Sequence, residues 1–170
     1  MPFFVDETVR ARNFLYPGEM DTQGDSYGLT YFEDEMLAAL MLRTMGAEDL
    51  FDAGNRQVPY QWIYRLRPDG QQIREGDYWA YDGMSSQRYV YSMAAGLARD
   101  PIFVGMLALY PRPSSHISLY ELLFRPADVA SAPLTSLPLT NYHPSPMGAM
   151  IARTGWTLGI DSPDAVVQMH

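Results

Sequence analysis

The chain has 170 residues, 47% of them hydrophobic, which is enough to bury a real core and argues for a folded body rather than disorder. Its formal charge of −8 speaks against a nucleic-acid partner, which would need a basic face, and all 12 cations are arginine with no lysine. With no cysteine, disulfides and thiolate zinc sites are excluded.

The opening MPFFVDETVR does not show the basic-then-apolar pattern of a signal peptide. The first strong feature is the segment TQGDSYG, residues 22–28, a glycine-flanked loop that leads toward a helix. Thr30 and Glu33 have the spacing of a capping box, so the helix is predicted to begin at Thr30 and to stop at Gly46, a suitable C′ glycine. Glu33, Asp34 and Glu35 then sit in its first turn, where they oppose the positive end of the dipole. Residues 36–42 are all apolar, which predicts a helix covered on most sides.

Pro59 is placed to open a short helix, and Pro68-Asp69-Gly70 reads as a tight turn. The residues after that turn fit either a short hairpin or irregular structure. A further helix is predicted from Ser85 or Ser86, with Ala94, Ala95 and Gly96 leaving room for close packing. Asp100-Pro101 gives an N-cap followed by proline at N1, and residues 101–110 are apolar on every side. The link between these two helices is so short that an antiparallel hairpin follows. The apolar run over 101–110 is itself far too short to span a membrane. Ser118 and Glu121 form a second capping-box spacing, ahead of a short helix that Pro126 ends.

After about Val129 the pattern changes to proline, serine and threonine with short apolar runs. GAMIARTGWTLGI and DAVVQMH read as strands separated by a Ser-Pro-Asp turn. Helices first and strands afterwards make the expected fold class α+β, with a helical part over 1–128 and a β part over 129–170. The final apolar, alternating run has nothing after it to pair with, so the chain is expected to be a piece of something longer.

Chemistry-bearing motifs are sparse. His116, His143 and His170 are far apart and show no metal-ligand spacing, and no G-x-S-x-G, P-loop or G-x-G-x-x-G pattern is present. Tyr27 stands out because a phenol near a helix N-terminus donates a proton as it stands, and a nearby positive charge would let it act as a base. The alternative is that its ring packs beneath the loop while Asp25 and Ser26 tie down the turn. The residues alone leave both open.

Three segments carry a resemblance: ARNFLYPGEMDTQGDSYG, WIYRLRPDGQQIREGDYW and PSPMGAMIARTGWTLGIDSPDAVVQMH, in that order. Together they resemble the middle of a heparinase II/III-type polysaccharide lyase, over residues 12–170. The resemblance implies the end of an (α/α) toroid of helical hairpins followed by the first strands of a β-sandwich. It implies β-elimination on a uronic-acid polysaccharide of the heparin or heparan sulfate kind, with Tyr27 as Brønsted acid and base. Gln23 and Asp25 would orient Tyr27 or touch substrate, or Asp25 would only form the turn; Trp79 or Trp156 would stack on a sugar or be core residues near the domain junction. Arg153 would pair a carboxylate between the layers, and His143 would be structural.

The family's other catalytic residues match nothing here, being expected before Met1 and beyond His170, and His170 does not match the family's histidine. No cofactor is expected in this chain; the family's zinc belongs to the part of the sandwich beyond it. The chain alone is therefore expected to be inactive. Partners implied are an acidic polysaccharide and a possible second copy, with no nucleic acid and no membrane, in a periplasmic or secreted setting. A noncatalytic carbohydrate-binding or interaction module on the same scaffold is the alternative reading.

Overall fold

The structure, a computed structural model, describes residues 4–47, 53–75, 88–109 and 115–170. The chain enters through a π-helical turn at Phe4–Val9, helix α1 at Arg10–Leu15 and a 3₁₀ turn at Tyr16–Gly18. Glu19 then takes a left-handed conformation with φ 53°, and the long helix α2 follows at Gly24–Thr44. Its C-terminal end is as predicted. Gly46 has φ +84°, its N–H donates to the carbonyl of Arg43, and the N–H of Ala47 donates to that of Leu42. That pair of bonds is a Schellman motif closing the helix.

The N-terminal end of α2 differs from expectation. Helix begins at Gly24 rather than Thr30, so Thr30 lies inside it. The physical reason lies upstream: Asp21 Oδ1 accepts the N–H of Gln23 at 2.8 Å, and Gly24 takes φ +74°. An aspartate-anchored turn thus opens the helix early, and a T-x-x-E spacing is equally compatible with an interior turn. Glu35, expected in a solvated first turn, is instead half-buried and paired. Of residues 36–42, Met36, Ala39 and Leu42 are buried, whereas Met41 faces solvent, so the helix is open on one side.

Short helices α3 (Ala53–Gln57) and α4 (Tyr60–Tyr64) come next, with Pro59 at the N-cap of α4 as predicted. Of the following segment, residues 71–75 fold back on the end of α4, and the rest lies outside the described residues. Leu66 bridges Gln72, Ile73 N–H donates to the Arg65 carbonyl, and Gly70 turns the chain with φ +82°.

Helix α5 is described over Arg88–Ala98 and helix α6 over Pro101–Leu109. The predicted start of α5 at Ser85 or Ser86 lies outside the described residues. Asp100 does cap α6, its Oδ1 accepting the Ile102 N–H at 2.8 Å with Pro101 at the first helical position. Helix α7 spans Ser115–Phe124, so Ser118 is an interior residue rather than a cap. Helix α5 packs against both α6 and α7.

The segment after Val129 forms one antiparallel sheet in the order β1-β2-β3, made of Thr140–His143, Ala149–Arg153 and Val166–Met169. Strand β1 was not anticipated, and the predicted strand over 148–160 ends at Arg153. Both differences have one cause. Thr140 pairs with Ala152 and His143 with Ala149, so β2 already has partners on both sides over this short span. Past it the chain leaves for a turn in which Asp164 accepts the Thr157 N–H.

The class is therefore mixed, α+β, and both segments contribute to one hydrophobic core. Trp62, Ile63 and Phe103 from the helices meet Leu134, Ile151 and Trp156 from the later segment.

Candidate functional site

The aspartate turn that opens α2 is held from beneath by a charged network. Arg12, on α1, donates from Nε to Glu35 Oε1 at 2.5 Å, and its Nη1 lies 3.5 Å from Asp21 Oδ2. The hydroxyl of Tyr16 donates to the other oxygen of Glu35 at 2.5 Å. Asp21 is fully buried as a side chain, and its backbone N–H reaches Gln61 Oε1 at 3.3 Å. A Cβ on Gly28 would sit 2.7 Å from Asp21 Oδ1. Only a glycine lets this carboxylate lie so close to the first turn of α2.

Burial governs the ionisation of these groups. It pushes the carboxyls of Asp21 and Glu35 up; the Gln23 N–H and Arg12 partly offset it at Asp21, the Tyr16 hydroxyl and Arg12 at Glu35. It also pushes the Tyr16 phenol far up, reinforced by Glu35, so Tyr16 acts as a donor only. For Arg12 burial works in the lowering direction, but neighbouring Tyr16, Glu35 and Asp21 outweigh it, and its pKa is raised. The opening beside this network, lined by Arg12, Asn13, Tyr16 and Glu35 among others, holds only about 20 Å³. That is room for a water and not for a substrate group. The network is a support.

The turn it anchors carries Tyr27. The phenol stands on the first turn of α2, one residue before Gly28, and is 51% exposed. It lies in helix rather than in a loop, with about half of its surface open. Its ring is nearly parallel to that of Tyr31, with centroids 6.0 Å apart and an interplanar angle of 21°. Gln23 is exposed at the N-cap, with its backbone N–H engaged by Asp21. Asp25 is in the same turn, but its side chain lies outside the described residues, as does the whole of Trp79.

The other candidates are elsewhere. Trp156 is buried, donates to the Leu137 carbonyl at 3.3 Å and meets Tyr64 edge-on, so it is a core residue rather than a sugar platform. Arg153 does bridge the layers, donating to the carbonyls of Tyr64 (2.8 Å) and Leu66 while its guanidinium lies 4.2 Å over Trp156. These partners are carbonyl oxygens at the end of α4. His170 is exposed beside Gln168 and Glu75.

His143 is fully buried. Its ring approaches the Asn141 amide at 3.2 Å, and burial pushes its pKa down, partly offset by the nearby backbone of Glu19 and Gly18. A Cβ on Gly18 would come 2.4 Å from Met147 Cγ and 3.1 Å from the Pro144 carbonyl. The sheet therefore clamps the loop that leads into the Asp21 turn, and His143 is part of that clamp.

Sequence reasoning missed Arg12, Tyr16, Asp21, Glu35 and Tyr31. The spacing of Asp21 two residues before Gln23 is the one local signal that marks an aspartate turn. The rest depends on contacts between distant segments.

Among the described residues no group of three histidine or acidic side chains is placed to hold a metal ion, and no helix is long and apolar enough to cross a membrane. Compared with known proteins, the chain matches no protein-family model and no curated protein.

Proposed function

We propose that this chain carries the proton-transfer residue of a polysaccharide lyase acting by β-elimination on uronic-acid polysaccharides, with Tyr27 as general acid and base. The observation that supports it is the presentation of that phenol: exposed on the first turn of a 21-residue helix and held there by the Arg12–Asp21–Glu35 network. In the reaction the C5 proton of the uronate leaves to a base, the C4–O bond breaks, and the departing oxygen takes a proton. A double bond forms between C4 and C5. One tyrosine serves both transfers when proton and leaving group are on the same face of the sugar. The positive end of α2 favours the carboxylate of a bound uronate.

On this reading the helical hairpins are the end of an (α/α) toroid and the three strands open a β-sandwich, as in the heparinase II/III-type lyases the sequence resembles. Zinc would belong to the remainder of that sandwich, and the setting would be periplasmic or extracellular.

A noncatalytic carbohydrate-binding module is the second reading. It is favoured by one observation: the described ring contact of Tyr27 is another exposed tyrosine, so this turn offers aromatic surface. Tyr27→Phe in the protein as encoded separates the two, assayed by the ultraviolet absorbance of the new double bond on heparin, heparan sulfate, chondroitin and alginate. Loss of that absorbance with substrate affinity retained supports the lyase. Absorbance that survives the substitution, or binding with no absorbance from either protein, refutes it.

A further inference from the structure

Helix α7 ends at Phe124, and from Pro126 the chain returns across α6. The returning segment is fastened there. The Ala132 N–H donates to the Pro101 carbonyl at 2.9 Å, and a Cβ on Gly105 would lie 2.0 Å from the Ala132 carbonyl oxygen. Between this segment and the two helices lies a pocket of about 450 Å³, within the size range of small-molecule sites. Val104, Leu122 and Val129 give it apolar walls. Leu119, one turn before Leu122 on α7, is 56% exposed and continues that apolar surface.

Two charged side chains line the pocket, and they are not equivalent. Glu121 is buried, and its carboxylate is taken by Arg88 of α5, which also donates to the Leu107 carbonyl. Arg125 is exposed, and among the described residues its guanidinium has neither an ion-pair nor a hydrogen-bond partner. The next acid along the chain, Asp128, is already paired with Arg99 at 2.5 Å. The two pairs cancel, so Arg125 leaves the pocket net positive on a chain of net charge −8.

From this geometry we infer that the pocket binds an aliphatic monocarboxylate, with its hydrocarbon body against Val104, Leu122 and Val129 and its carboxylate on Arg125. Each part of that ligand answers a wall. A guanidinium fork matches a carboxylate with two parallel N–H···O bonds. One fork offsets one negative charge, so a monoanion is satisfied and a dianionic phosphate ester is not. Glu121, held by Arg88, is not free to take a cationic head. A hydrated anion with no apolar body would leave the three aliphatic walls uncovered. None of these residues belongs to the α2 turn, and the inference is independent of the lyase reading.

The test titrates the full chain by calorimetry with hexanoate, octanoate, 1-octanol and octylammonium. Octanoate is expected to bind about tenfold more tightly than hexanoate, because two further methylenes are buried. It should also bind about tenfold more tightly than 1-octanol or octylammonium. Arg125→Gln should weaken octanoate about tenfold and leave 1-octanol within about twofold, whereas Leu122→Ala should weaken both alike. Both positions are exposed, and circular dichroism checks that the helices are retained. Absence of octanoate binding overturns the site, as does equal affinity for the alcohol or the amine. Unchanged octanoate affinity in Arg125→Gln, or an equal loss of 1-octanol, removes the carboxylate contact and overturns it too. Sedimentation velocity on the same samples examines the competing occupant of the leucine face. A dimer that Leu122→Ala dissociates, with no carboxylate bound, gives the pocket to a second copy and overturns the inference.

Discussion

The α5–α6 hairpin and the opening turn of α2 are built on opposite principles. In the hairpin nearly every side chain from Val90 to Leu97 is buried, and glycines bring backbones together. A Cβ on Gly96 would meet the Phe124 carbonyl at 2.2 Å, and one on Gly105 the Ala132 carbonyl at 2.0 Å. Its one buried charge, Arg88, is matched by Glu121 and the Leu107 carbonyl. The α2 turn has little apolar material of its own. It is positioned by Arg12, Asp21, Glu35 and Tyr16 and leaves two tyrosines in solvent. Close apolar packing gives stability without presenting chemistry, whereas a charged network holds a polar group at a defined place while leaving it reachable.

Substitutions should separate the two regions in a graded way. The largest effect is expected from Arg88→Met, which removes the guanidinium paired with the buried Glu121 carboxylate and should lower unfolding free energy by about 3–5 kcal/mol in urea. Gly105→Ala comes next, at about 1–3 kcal/mol, because the obstructing atom is a backbone carbonyl that does not yield easily. Gly28→Ala should cost only about 1 kcal/mol globally. Its mark is local: Asp21 is displaced, and amide exchange in the first turn of α2 accelerates while that of α5 does not. If α5 exchanges faster as well, the two regions are not independent.

A smaller effect is expected from pH. The folded pKa of His143 is depressed by burial, so below about 6.5 the unfolded chain takes up a proton that the folded chain refuses. That contribution to stability is present above about 6.5 and is lost as pH falls toward the folded value. Glu19, Asp21 and Glu35, with raised folded pKa values, act with the opposite sign at lower pH. The difference in slope between the parent and His143→Gln isolates the histidine. Smallest of all, Tyr27→Phe should leave stability within about 0.5 kcal/mol, since it removes an exposed hydroxyl. A larger loss would make Tyr27 a structural residue.

The same contrast explains what was legible in the sequence. Gly46 and Asp100-Pro101 do their work within a few residues, so local spacing identified both ends correctly. The start of α2 was not legible, because Thr30 and Glu33 show the spacing of a cap in a place where Asp21 had already begun the helix. Strand β1 is only four residues long between prolines, and its pairing with β2 rather than its composition makes it a strand. At the site, Tyr27 was visible as a phenol near a helix N-terminus. The network that holds it was not, since Arg12 reaches Glu35 across 23 positions and Asp21 reaches Gln61 across 40.

The close approach of Gly18 to Met147 and Pro144 has a consequence for the order in which the protein is made. The turn carrying Tyr27 is translated early, but the loop that sets it is clamped by residues nearly the whole length of the chain away. Helices α2 and α5 have their apolar partners to hand well before the strands emerge from the ribosome, and local contacts form first. The opening turn of α2 is thus the last part of the helical region to acquire its final shape, and a nascent chain halted before Met147 would hold a formed helix with Tyr27 unset.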